Sequence, residues 1–219
     1  MRKVELPESL KEVKAFSTAE AAMAGVSRLA LSRMVEHGEL VRIRHGYYAV
    51  AQRLEDGTVF ETDDHRAKLA ALATPNPMSV NTDRVVCLET AACLHKLTTQ
   101  HLGALWLAVP SGVRVLQSRR ECPLTVHVVH WAAPEMFEVG VVDMAMGGRT
   151  VRVTSPERTV VDLLRFSGNP EVGVALAREA LQAARDSGVA EQAIWEVAGA
   201  LGCADDVRQW VLGAWRQNM

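Results

Sequence analysis

The sequence predicts an α+β protein: a small helical segment closed by a strand hairpin, then a mixed α/β region that finishes in a helical cluster. Three observations predict it. Apolar residues recur at helical spacing over positions 6–36. The period then shortens to two across Leu40–Val50, and beyond Val85 strand-like apolar runs give way, after Ser155, to helical patterning alone.

Leu6, Leu10, Val13 and Phe16 predict a first helix over about residues 7–15, with Pro7 and Glu8 suited to its first turn. Ser17 or Thr18 caps a second helix, with Glu20 near its start and Gly25 at its end. Ser27 caps a third. Ala30, Leu31, Met34 and Val35 of that helix face inward, whereas Arg28, Leu29, Ser32, Arg33 and Glu36 share the opposite face, and Gly38 stops it. Val41 and Ile43 then alternate with Arg42 and Arg44, His45-Gly46 makes a turn, and Tyr47–Val50 returns.

Three short helices, with a glycine turn before the third and a two-stranded ribbon behind it, describe a winged helix-turn-helix. A helix lying in a major groove leaves such a ribbon beside the phosphate backbone. Arg42, Arg44 and His45 are therefore the expected phosphate contacts, and Arg28, Ser32 and Arg33 the expected base-edge readers. A structural alternative is that Arg42 and Arg44 are only the solvent-facing half of a strand, in a module that contacts protein.

Residues 51–84 form an acidic, turn-rich stretch with a helix expected from His65 to Ala73, followed by a Pro-Asn-Pro break. The domain reading is thus 1–53 for the winged module, 54–84 for a linker with a helix, and 85–219 for the α/β domain. Within the last, VVCLETAACLHKL reads as a helix, ALWLAVP and LTVHVVHW as strands, and VGVVDMAMGGRTVRVTS as a hairpin with Gly147-Gly148 at its tip. Ser155, Pro156 and Glu157 open a helix. Further helices are expected around 171–185, 190–201 and 204–216, with Ile194, Trp195, Val197, Leu201, Val207, Trp210, Val211 and Trp215 as core.

Bulk properties narrow the function. The 219-residue chain is 48% apolar, enough for a sizeable core. It has no run of 18 apolar residues, and MRKVELPESLKEVK lacks a signal-peptide core, so a cytoplasmic protein without membrane association is expected. Net charge is −2, yet residues 1–53 hold nine Lys/Arg against six Asp/Glu, and residues 54–219 fifteen against twenty. The basic character sits at the N-terminal end. Cys87, Cys93, Cys122 and Cys203 show no C-x-x-C pair and read as small apolar residues.

Catalytic signatures fail in turn. There is no phosphate-cradling G-x-x-x-x-G-K-[ST] loop, no G-x-S-x-G elbow and no H-E-x-x-H. His127 and His130, three apart on a strand, point to opposite faces. Glu12-Val13-Lys14, the lone Glu-x-Lys triplet, has no aspartate before it to complete a nuclease metal site. Glu157 and Asp162 diverge by more than a helical turn, and Asp162 is expected to pair with Arg158 or Arg165. No enzyme activity, cofactor or metal is expected.

Residues 17–50, STAEAAMAGVSRLALSRMVEHGELVRIRHGYYAV, resemble the winged-helix N-terminus of AbiEi-type antitoxins, and VRVTSPERTVVDLL (151–164) resembles the signature of their C-terminal domain. CLETAACLHKL and LWLAVPSGVR fit the same pattern, so the resemblance spans roughly residues 10–190. It implies an antitoxin and autorepressor of a type IV toxin–antitoxin system that binds inverted repeats in its own promoter and counters an AbiEii-type nucleotidyltransferase toxin. By position, Arg28, Ser32 and Arg33 match the recognition helix, and Arg42 and Arg44 the basic wing. The chain departs from the family in placing Glu36 and Glu39 where relatives have further basic residues, and its helices after about residue 190 are unmatched. Composition and spacing by themselves leave two other readings open: a regulator whose C-terminal domain binds a small effector, and a nucleic-acid-processing enzyme with an unfamiliar site.

Overall fold

The computed structural model describes residues 5–13, 15–44, 46–51, 83–100, 104–113, 125–146 and 149–216, the side chains of Ile43, Arg44, Arg149, Trp215 and Arg216 excepted. The chain divides into two compact units, one of Met1–Thr82, Arg114–Thr125 and Met144–Val151, the other of Asp83–Val113, Val126–Asp143 and Arg152–Met219. The described residues contain eight α-helices and two sheets, a mixed α+β architecture.

In the N-terminal region, α1 (Glu8–Glu12) is shorter than its apolar spacing predicts, because the chain leaves helix to form β1 (Ala15–Ser17). Phe16, which extends the helical spacing just past the expected helix, is fully buried on this strand and pairs with Tyr48 across the sheet, where the ring centroids are 6.3 Å apart. Long-range pairing outweighs a helical pattern this short. Ser17 ends the strand and caps α2 (Thr18–Met23): its Oγ accepts from the Glu20 amide at 3.2 Å, and Glu20 Oε2 accepts from the Ser17 amide at 2.6 Å. That reciprocal box satisfies two donors at the helix start.

Gly25 and Gly38, with φ of +81° and +67°, stop α2 and α3 (Arg28–Glu36) alike. In each case the residue after the glycine reaches back to close the last turn, Val26 to the Ala21 carbonyl at 2.8 Å and Glu39 to the Met34 carbonyl at 2.8 Å. This Schellman closure needs the left-handed backbone that glycine adopts without a steric penalty. Ser27 caps α3 through a 3.2 Å bond from the Ala30 amide, as the sequence predicts.

Behind α3, β2 (Leu40–Arg44) and β3 (Tyr47–Val50) pair antiparallel, and β1 adds to β3, giving the order β1-β3-β2. The ribbon departs from simple alternation. The register shifts between Arg42, opposite Tyr48, and Arg44, opposite Tyr47, so one bulged residue breaks the inside–outside pattern read from the sequence. Leu10, Phe16, Ala21, Val26, Ala30, Leu31, Met34 and Leu40 make the core of this region.

The second sheet has the order β6-β5-β4-β8-β7, formed by β4 (Val85–Val86), β5 (Ala104–Pro110), β6 (Thr125–Trp131), β7 (Val141–Met146) and β8 (Arg149–Thr154). VVCLETAACLHKL is thus part strand and part helix: β4 pairs antiparallel with β5 and parallel with β8, and α4 (Leu88–Leu94) starts only after Cys87. β5 is a continuous apolar run because its interior residues are buried on both faces, whereas β6, at the edge, is half-exposed. α5 (Pro156–Arg165) packs against α4, α6 (Val174–Asp186), α7 (Glu191–Ala200) and α8 (Ala204–Arg216). Ile194, Val207 and Val211 are buried as expected, and Trp195, Val197, Leu201 and Trp210 pack around them half-buried. The expected His65–Ala73 helix, the Gly147-Gly148 tip and the Trp215 side chain lie outside the described residues.

Candidate nucleic-acid interface

α3 presents two unlike faces. Ala30, Leu31 and Met34 are buried, and Arg28, Leu29, Ser32, Arg33 and Glu36 are all exposed. The division follows from 3.6-residue spacing: once Leu31 and Met34 dock on the core, positions three and four away from Leu29 must look outward together. No ion pair or hydrogen bond with a described residue holds the Arg28 or Arg33 guanidinium. Ser32 Oγ donates to Glu36 Oε1 at 3.5 Å, a long contact that yields readily to a better acceptor.

An open recess of about 510 Å³ lies beside the start of α3, lined by Ser17, Thr18, Ser27, Arg28, Arg42 and Tyr48 among others. It brings together an expected base reader, Arg28, and an expected backbone contact, Arg42. Arg42 is half-buried here rather than standing free on a solvent face, because the bulge turns the strand just beyond it. Ser32 and Arg33 share the exposed face of α3 but do not line the recess. The backbone of Arg44 continues β2; its side chain, and all of His45, lie outside what is described.

One participant was not legible in the sequence. Thr18 donates to the Gly46 carbonyl from both its amide, at 2.7 Å, and its Oγ1, at 3.1 Å, and so fastens the start of α2 to the ribbon turn. A threonine at the first position of a helix hints at spare donors, but nothing local names a partner 28 residues away. The acidic residues of the region are mostly drawn elsewhere: Glu5, Glu8 and Glu12 belong to α1 and its approach, and Glu20 is engaged in the capping box. Glu36 stays on the exposed face of α3.

In the second unit, the arginine in the first turn of α5 is buried. Arg158 is 0% exposed; its Nε donates to Asp162 Oδ2 at 2.8 Å, its Nη1 to the carbonyls of Val139 at 2.7 Å and Met136 at 3.3 Å, and its guanidinium lies 4.6 Å from the Trp131 ring centroid. Burial pushes the Asp162 carboxyl above its ordinary range, opposed by the Arg158 charge. Of the two pairings expected for Asp162, the Arg158 one forms, and Arg165 instead lies 3.7 Å from Asp206. Glu157 sits in the first turn of α5, where the sequence places it to meet the helix dipole.

His127 stacks on Trp106 with centroids 4.3 Å apart and lies 3.1 Å from Glu171, while His130 faces the Pro110 carbonyl. Among the described residues no three His, Cys, Asp or Glu side chains are grouped to hold a metal. Cys87 and Cys203 are buried and Cys93 half-buried; burial raises all three thiols, Cys93 to about 11, so each stays protonated. Cys122 is outside the described residues.

A comparison with curated proteins gives no match for this chain. A comparison with protein families gives one that falls on the region just described: residues 5–51, from the approach to α1 to the end of the ribbon, match the family described as a transcriptional regulator, AbiEi antitoxin.

Proposed function

We infer that residues 5–51 form a winged helix-turn-helix that binds double-stranded DNA, with α3 in the major groove and the β2–β3 ribbon as the wing. The observation that carries this is the outward face of α3, which exposes Arg28 and Arg33 and from which Arg28 shares a recess with the ribbon's Arg42, in the segment that matches the AbiEi family. Arg28, Ser32 and Arg33 read base edges, and Arg42, Arg44 and His45 meet phosphates. Thr18 holds the wing turn against α2, which keeps both sets of contacts in one frame.

In this reading the chain is an antitoxin that represses its own type IV toxin–antitoxin operon through inverted repeats, and its α/β domain serves to counter an AbiEii-type nucleotidyltransferase toxin. It acts by binding and not by catalysis. Among the described residues no helix is long and apolar enough to cross a membrane, and the place of action that fits a DNA-bound regulator is the cytoplasm.

The test is a salt titration of full-length protein against duplex DNA from upstream of its own gene, with scrambled duplex as control. Specific binding with a steep salt slope supports the reading; equal or absent binding to both duplexes at low salt overturns it. The antitoxin half is tested by co-expression with the toxin. An Arg28→Ala/Arg33→Ala double variant should lose repression yet still rescue cells, and failure of the wild type to rescue removes the antitoxin assignment.

A further inference from the structure

We propose that Leu29 is a specificity-determining residue that reads the C5-methyl group of a thymine in the major groove; this rests on the DNA-binding reading above. Leu29 is 62% exposed, in the first turn of a helix whose other apolar residues turn to the core, and it belongs neither to that core nor to the residues packed against it. Folding therefore gains little from leucine at this position. Its surroundings name what covers it. Arg28 precedes it, Ser32 and Arg33 lie three and four residues on, on the same face, and all three are exposed.

A partner that fits an apolar side chain ringed by two cations and a hydroxyl must be polyanionic and must also offer a small apolar spot. The thymine methyl is the apolar group that a B-DNA major groove presents beside its polar base edges. Met23, 86% exposed at the last position of α2, sits on a helix that carries no basic residue. The spacing sharpens the expectation. Leu29 and Arg33 are separated by about 6 Å along the helix axis, and base pairs by about 3.4 Å, so the thymine lies within about two steps of the guanine that Arg33 is suited to grip.

The experiment measures binding of the full-length protein to duplex from upstream of its own gene, with each thymine replaced singly by deoxyuridine, which removes only the methyl. At one thymine in each half-site the replacement should weaken wild-type binding about fourfold, the effect of one methyl taken out of water. Leu29→Ala should bind more weakly overall, show an unchanged melting temperature because the side chain is exposed, and be indifferent to that same replacement. Two results overturn the proposal while leaving the DNA-binding reading intact: operator-specific binding that no deoxyuridine weakens, or Leu29→Ala keeping the full sensitivity at the same thymine. Loss of all preference for the upstream duplex by the wild type overturns both.

Discussion

α3 and α5 begin alike and end in opposite surroundings. Each is capped by a serine, Ser27 and Ser155, whose Oγ accepts from the amide three residues on, and each carries an arginine in its first turn with a polar residue four positions later, Arg28 with Ser32 and Arg158 with Asp162. Arg28 stands on an exposed face. Arg158 is enclosed, tied to Asp162 and two carbonyls, with α4, α6, α7 and α8 packed about its helix. Local sequence sets where a helix starts, while the number of elements packed around it decides whether its arginine is left exposed or enclosed in the core.

The largest expected effect lies on the buried side. Asp162→Ala leaves the Arg158 charge uncompensated in the core and should cost about 3–5 kcal/mol, measured by denaturant unfolding. Arg158 Nη2 and Asp162 Oδ1 make no hydrogen bond among the described residues, so the pair is incompletely satisfied, and an Arg158→Met/Asp162→Leu double variant should recover most of that loss. A double variant no more stable than Asp162→Ala would show the pair itself to be the stabilising element.

Next in size, and opposite in kind, come Arg28→Ala and Arg33→Ala. Each should weaken binding to the upstream duplex by about 1–3 kcal/mol while leaving the unfolding midpoint unmoved. A stability loss at either would break the contrast between the two helices. Arg42→Ala and Arg44→Ala should weaken binding to all sequences alike and reduce the salt slope by about one unit each; a fixed slope would take the ribbon off the phosphate backbone.

The smallest effect is a pH dependence in the second unit. The Thr99 amide, with the Thr99 and Thr98 hydroxyls, holds the Glu179 carboxyl below its ordinary value of 4.5. A lowered carboxylate contributes stability that is present above its unfolded value and is lost as pH falls through the folded one. Below pH 4.5 the wild type should therefore lose a small increment of stability that Glu179→Gln does not, visible as converging unfolding midpoints. Parallel curves would place the clamp outside the folding equilibrium.

The three serine caps, both glycine stops and the two faces of α3 were legible, because each depends on residues within one or two helical turns. So were the ribbon and the four strands read from ALWLAVP, LTVHVVHW and VGVVDMAMGGRTVRVTS. The shortening of α1, the strand β1, the bulge after Arg42 and the splitting of β4 from α4 were not, since each arises from pairing with residues far along the chain. For the candidate interface, the exposure of Arg28, Ser32 and Arg33 could be read from periodicity; the Thr18 tie to Gly46 and the half-burial of Arg42 could not.

Local chemistry thus settled which residues open, close and orient the helices, because a cap or a glycine stop is satisfied within its own turn. Only packing decided that Phe16 joins a sheet, that Arg42 turns into a recess, and that Arg158 is buried. In each case the deciding free energy comes from surface removed from water against a distant segment, and no run of neighbouring residues specifies it.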